Sequence, residues 1–443
     1  MVQVKPFRAY RYSPSKVKDY SKVVAPPYDI IKGDAVDFYQ GLSEYNIAWI
    51  TKSKPMPGDT EHNNQYTRAG ERLRKWLQEG VLVPDSKDSY YVYGQDFEIA
   101  GKRYFRFGFI GLLELEEFGR QAPERAPFTG VLQHEETLPK DIQDRLNLCR
   151  QTFMQFGLIF VIYPDPERRV DRILEREMKK SPIVDITDNE GVRHRIWAVT
   201  GKAEIDAIGT AMQDKYVVIA DGHHRYKTAL ALRDENPDLE SAKYRMVVFV
   251  NMENPGLIIL PTHRVVQNLP DFDVEKMMKR ATEYFDVDAF DKKEDMFSRM
   301  SQEFDRNGHC FGMFVNDGKF YTLRLKDPKA MDKVLPGKSE DLKSLDVTIL
   351  HSLILDRVLG IGKDKLAEGT MSGGGYVTYL KGTPSAVDEA LEMVKKGANA
   401  AFFLNPTRVR EVEAVSRRFE VMPQKSTYFV PKVWTGFTMN RLK

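Results

Sequence analysis

Tyr216-Val217-Val218-Ile219-Ala220-Asp221-Gly222-His223-His224-Arg225-Tyr226-Lys227-Thr228-Ala229-Leu230 falls into two halves of different character. The first five residues are a continuous apolar run rich in β-branched side chains, the pattern of a strand covered on both faces. Asp221-Gly222 breaks the run. From His223 the spacing turns helical, with Tyr226, Ala229, Leu230 and Arg233 one turn apart along the chain. The stretch is therefore a strand-to-helix turn carrying Gly, two His and Arg at its corner, as expected of an α/β chain. The first turn of a helix presents unpaired N–H groups and a partial positive charge, which suits an anion. Gly222 lets the backbone approach a phosphate closely. His223, His224 and Arg225 add donors, Arg225 in bidentate fashion, and Asp221 can hold Mg²⁺ against phosphate oxygens. A purely structural turn uses the same residues, with Asp221 as a helix cap and the histidines at the surface.

Upstream of this turn the sequence predicts strands at 46–51, 90–99, 104–115 and 158–163, the second and third joined by an Ala100-Gly101-Lys102 turn. Helices are predicted at 62–79, from about 139 to 153, and at 203–212. A second hairpin, 183–186 with 192–199, turns at Asn189-Glu190-Gly191. Downstream, helices at 273–284, 292–304, 343–358, 384–395 and 406–417 alternate with strands at 311–315, 320–325 and 400–404. The Pro-rich stretch 121–127 reads as a loop and domain boundary. The expected division is 1–120, an N-terminal α/β region; 121–267, the domain holding the central turn; and 268–443, a C-terminal α+β domain.

Composition removes several function classes. The chain has 443 residues, enough for two or three domains, and 42% hydrophobic with 29% charged residues is ordinary for a globular protein. A net charge of +2, from 66 Lys+Arg against 64 Asp+Glu, gives no global footprint for nucleic acid. The two cysteines, Cys149 and Cys310, form no CxxC pair, so neither a disulfide framework nor a cysteine zinc site is expected. No apolar run approaches the ~20 residues of a membrane span, and the N-terminus lacks a signal core, so the expected location is the cytoplasm. No GxxxxGK(S/T) or GxGxxG occurs, which argues against a P-loop or dinucleotide fold.

Two further clusters carry chemistry. In His134-Glu135-Glu136 a Glu beside a His can act as general base toward a hydroxyl; the structural alternative is a solvated loop before a helix. In Met422-Pro423-Gln424-Lys425-Ser426-Thr427-Tyr428-Phe429, Lys, Ser and Thr in a row can grip a carboxylate or phosphate; the alternative is a polar turn before a last strand.

Together these residues resemble a known set. The stretch 216–230 is similar to the second box of the ParB/sulfiredoxin superfamily, and more closely to the DGHHR box of its free-serine kinases. The whole chain resembles the domain-of-unknown-function family 1015. The landmarks of that family stand here as Val24-Ala25-Pro26-Pro27-Tyr28-Asp29, His134-Glu135-Glu136-Thr137-Leu138-Pro139, Asp144-Arg145-Leu146, the central turn, Leu260-Pro261-Thr262-His263-Arg264 and Pro423-Gln424-Lys425-Ser426-Thr427. The resemblance implies an α/β (α+β) fold, with a ParB/sulfiredoxin-like central domain built on a mixed sheet. It implies that Glu135, with His134, activates a substrate hydroxyl. Asp221 would organise Mg²⁺, and Gly222, His223, His224 and Arg225 the phosphates of ATP or ADP. Lys425, Ser426 and Thr427 would meet substrate or phosphate. A sulfiredoxin needs Cys where His223 stands, and the ParB box reads GERR.

The expected function is therefore phosphate transfer from a nucleotide to the hydroxyl of a small, serine-like metabolite. The alternatives are a nucleotide-binding regulator without kinase activity, and a scaffold with a vestigial site. The expected partners are a nucleotide and a small-molecule substrate, with neither nucleic acid nor membrane; a homodimer is left open.

Overall fold

The computed structural model describes residues 2–118, 130–135, 139–362, 364–366 and 375–443. The expected loop at 121–127 lies outside them, as do Glu136, Thr137 and Leu138. The chain forms two compact units, Met1–Ile258 with Pro431–Lys443, and Ile259–Val430. Both mix helices with sheet, as the α/β reading expects. Among the described residues no helix is long and apolar enough to cross a membrane.

The first unit is organised by a nine-stranded mixed sheet. Its order is Gly130–Leu132, Tyr216–Asp221, Ile159–Tyr163, Tyr244–Asn251, Lys102–Glu114, Tyr90–Ile99, Arg193–Val199, Val184–Thr187, with Val4–Lys5 also paired to Lys102–Glu114. Two neighbouring pairs are parallel, Tyr216–Asp221 with Gly130–Leu132 and Tyr244–Asn251 with Ile159–Tyr163; the others are antiparallel. Strands 90–99 and 102–114 thus share one sheet with the strand of the central turn.

Local chemistry explains the hairpins. Ala100 and Gly101 have φ of 48° and 78°, the positive values a two-residue turn needs between right-twisted strands. Gly191, at φ 83°, closes the second hairpin. At Gly108 a Cβ would overlap the Phe249 carbonyl, so only glycine lets the two central strands approach there. Val161, Val217, Ile219, Val247 and Phe249 are buried in the main core, and Phe109 stacks on Phe249 with centroids 4.6 Å apart.

Two expectations differ from the structure. The stretch 46–51 is no strand; Ala48–Thr51 is a short buried helix. Asn46, fully buried, accepts from the Ala48 N–H at 2.9 Å and donates to the Lys22 and Val24 carbonyls. This side-chain turn overrides the β propensity of Ile47, Trp49 and Ile50. The expected helix 343–358 is divided: Asp346–Ile349 is α-helical, and Leu350–Val358 continues as a wider π-helix. The strand Tyr244–Asn251 is absent from the sequence reading, although Met246-Val247-Val248-Phe249-Val250 is an apolar run of the buried-strand type.

The second unit is an antiparallel sheet ordered Phe285–Phe290, Phe320–Leu325, Cys310–Phe314, Ala400–Phe403, Thr262–Val266, Val377–Lys381. Helices Lys293–Asp305 and Ala386–Lys395 bury Met296, Met300, Ala386 and Ala390 against it.

The C-terminal segment closes the first unit. Thr435 exchanges backbone hydrogen bonds with Ala25, and Met439 with Tyr10. The Trp434 N–H donates to the Tyr93 hydroxyl, which meets His194 Nδ1 at 2.8 Å, and His194 Nε2 lies 2.9 Å from Asp188. His194 is fully buried, so this chain serves packing specificity.

Candidate functional site

The turn after Tyr216–Asp221 is built as its sequence predicts. Gly222 caps the helix His223–Glu235 at φ 101°, a conformation that strains any side chain. A Cβ at Gly222 would also stand 3.1 Å from Arg225 Nε, so glycine leaves room for the guanidinium as well as for the turn.

Strand pairing brings in the His-Glu pair. Gly130–Leu132 runs parallel to Tyr216–Asp221, with Leu132 opposite Val218. Three residues beyond that register pair stand Glu135 on one chain segment and Asp221 on the other. Both residues thus stand at or just beyond the carboxyl ends of adjacent parallel strands, the side of the sheet where open α/β sheets bind ligands. Further contacts tie the segments together. His134 Nδ1 lies 2.7 Å from the Ile219 carbonyl, the His134 N–H donates to His223 Nε2 at 3.4 Å, and the two imidazoles meet edge to face at 4.7 Å.

These bonds set the tautomers. A carbonyl accepts only, so His134 carries its proton on Nδ1; His223 accepts at Nε2 and carries its proton on Nδ1. Burial depresses both histidines, His134 to about 4 despite its bond to the Ile219 carbonyl. His223 falls well below the ordinary value through burial and then the neighbouring His134. Both are neutral at pH 7, and neither is a proton donor of ordinary strength. Because their folded values lie below the unfolded ~6.5, the unfolded chain takes up protons first and stability falls as pH drops from about 6.5 toward 4. The pair adds at most ~2.7 kcal/mol per pH unit in that window. Urea unfolding at pH 7, 6 and 5 should show this slope, reduced in His134→Gln; identical pH dependence in the two proteins would count against it.

Asp221 sits between two cations. Its carboxylate oxygens lie 3.0 Å from an Arg225 terminal nitrogen and 3.2 Å from Lys432 Nζ. Burial opposes its charge, but Lys432 and Arg225 outweigh burial and hold the carboxyl well below the usual range. Arg225 also donates to the Leu158 carbonyl. Lys432 is not among the predicted site residues; it lies more than 200 residues from Asp221 along the chain, shortly after the Pro423–Thr427 landmark. Its backbone is pinned by Gln95, which donates to the Lys432 carbonyl at 2.9 Å, and by buried Arg106, which donates to the Pro431 carbonyl. The Arg106 guanidinium lies over the Phe160 ring, and burial brings it down to about 10.

His224 Nε2 lies 3.6 Å from Asp141 of helix Pro139–Thr152. Lys425, Ser426 and Thr427 belong to the second unit. There Lys425 has φ 58°, Arg264 donates to its carbonyl at 3.1 Å, the Ser426 hydroxyl donates to the Pro423 carbonyl, and the Thr407 hydroxyl donates to the Ser426 carbonyl. Among the described residues no three His, Cys, Asp or Glu side chains gather as a metal cluster.

Known proteins place the chain as follows. No curated protein matches it. Among solved structures it is similar to a free serine kinase mutant in complex with ADP, at 13% identity and a TM-score of 0.35, covering 71% of this chain and 88% of that one. It is similar to a conserved hypothetical protein from Pyrococcus furiosus, at 14% identity and a TM-score of 0.31, covering 68% and 87%. It is also similar to SbnI from Staphylococcus aureus, at 11% identity and a TM-score of 0.31, covering 68% and 81%. A family model described as "Protein of unknown function (DUF1015)" matches residues 4–348, the larger part of the chain, and the protein belongs to that family.

Proposed function

We propose that this protein is a Mg²⁺-dependent small-molecule kinase that moves a phosphate from ATP or ADP to the hydroxyl of a small, serine-like metabolite. The observation that carries the reading is that the segment carrying Glu135 leaves a strand paired in parallel with the one that ends at Asp221, with Arg225 and Lys432 held on Asp221. Phosphoryl transfer needs positioning and charge stabilisation more than covalent help. Gly222 and the first helical N–H groups receive the phosphate. Arg225 and Lys432 supply the cationic groups that face it. Glu135 accepts the hydroxyl proton of the acceptor. Buried neutral His134, tied to the Ile219 carbonyl, fixes the segment that carries Glu135. Mg²⁺ takes one or two carboxylates plus phosphate oxygens, and Asp221 would hold it with the nucleotide by giving up a cation contact; bound there, the ion would neutralise phosphate charge. The reading rests on the first unit alone.

One observation favours the alternative of a nucleotide-binding regulator without transfer: both Asp221 oxygens already meet cations. Incubating a metabolite pool with protein, Mg²⁺ and ATP or ADP, followed by mass spectrometry, separates the two. A new phosphorylated hydroxyl compound is the expected result. Nucleotide binding by calorimetry with no compound phosphorylated would favour the regulator, and no binding at millimolar nucleotide would remove both.

A further inference from the structure

Arg225 also lines a cavity whose lining includes neither Asp221 nor Glu135. Pro27 and Tyr28, from the Pro-Pro-Tyr-Asp stretch, line it together with Arg145, Arg225 and Arg245. Leu148, Met154, Phe156 and Leu232 make its walls apolar, and among the described residues no carboxylate lines it. The three guanidinium groups are not equally neutralised. Arg145 is paired with Asp144 at 2.5 Å, and Arg225 with Asp221. Arg245 has no carboxylate partner among the described residues. It is 6% exposed, donates to the Gly157 carbonyl, and its Nε is buried without a hydrogen-bond partner. Burial brings it down to about 10, with no acidic side chain raising it except the Cys149 thiol. At neutral pH it is still a cation.

A buried guanidinium with an orphaned N–H is costly unless an anion meets it. Its planar fork matches a carboxylate or phosphate. The Tyr28 ring lies against the Arg145 guanidinium, 4.0 Å from centroid to cation, and its hydroxyl, pushed up to about 12 chiefly by burial, stays protonated as a donor.

We propose that this cavity is a binding site for the anionic group of a small metabolite, a carboxylate or phosphate monoester held by Arg245 with Arg145, Arg225 and Tyr28. The site stands whether or not any acceptor is phosphorylated. The test is thermal unfolding in sodium phosphate and in sodium succinate against sodium chloride at matched ionic strength, for the wild type, Arg245→Met and Arg245→Lys. At roughly 100 times its dissociation constant a bound anion should raise the wild-type Tm by about 5 °C. A rise with phosphate alone or with succinate alone tells the two head groups apart, and either supports the site. Arg245→Met should be at least as stable as wild type in chloride, because it removes an unpaired buried charge, and should lose the anion-specific rise. Arg245→Lys keeps the charge but not the fork and should need at least about tenfold more anion for the same rise. The proposal is overturned if neither anion exceeds chloride in the wild type, or if either variant responds as the wild type does.

Discussion

Glu135→Gln is expected to lower phosphoryl transfer by about 10²–10⁴-fold, the usual contribution of a positioned general base, while nucleotide affinity stays within about twofold. The substitution keeps the shape of the side chain and removes its negative charge and its capacity to take a proton. Glu135 follows Gly130–Leu132 at the sheet edge that also holds Asp221, and the anchoring of this segment comes from His134, whose bonds to Ile219 and His223 the variant leaves intact. Single-turnover transfer and nucleotide calorimetry on the same preparation give the answer. Unchanged turnover would remove Glu135 from the chemistry. Loss of nucleotide binding together with turnover would recast it as a ligand of the nucleotide or its metal.

Asp221→Asn should have the largest effect on stability. Asp221 is the counter-charge of both Arg225 and Lys432, whose side chains are 9% and 15% exposed. With the charge gone, two cations face each other across a neutral amide in a water-poor corner. Removing one partner of a buried ion pair costs about 3–5 kcal/mol, which for a unit of this size is roughly a 10 °C fall in Tm. The pH dependence gives a second handle. The folded carboxyl is depressed, so its contribution is fully present above the unfolded value of ~3.9 and is lost as pH falls through the lower folded value. The wild type should therefore lose stability steeply below about pH 4, beneath the histidine window, and Asp221→Asn should lose less there. A variant that melts with the wild type at pH 7 would show that Asp221 is not the counter-ion holding Lys432 and Arg225 in place.

The central turn was readable because its determinants are local. An apolar β-branched run, a glycine whose φ is positive, and helical spacing after it are all encoded within fifteen residues. The same holds for the two hairpins and for most helices. The stretch 46–51 was misread because its outcome depends on Asn46 reaching carbonyls more than twenty residues away. Propensity counts the side chains of Ile47, Trp49 and Ile50 but cannot see those partners. The nearness of His224 to Asp141 is not legible in the sequence, because it depends on how helix Pro139–Thr152 packs.

By itself the sequence determined the mixed α/β class, the turn at Asp221-Gly222, and the residue types suited to phosphate. Those follow from period, backbone sterics and charge, which act over a few residues. Only the tertiary structure decided that the strand leading to Glu135 pairs in parallel with the strand ending at Asp221, that Lys432 returns to pair with Asp221, and that Tyr28, Arg145 and Arg245 surround one cavity. Each of these joins segments tens to hundreds of residues apart. Strand register and core packing set them, and no spacing along the chain records either.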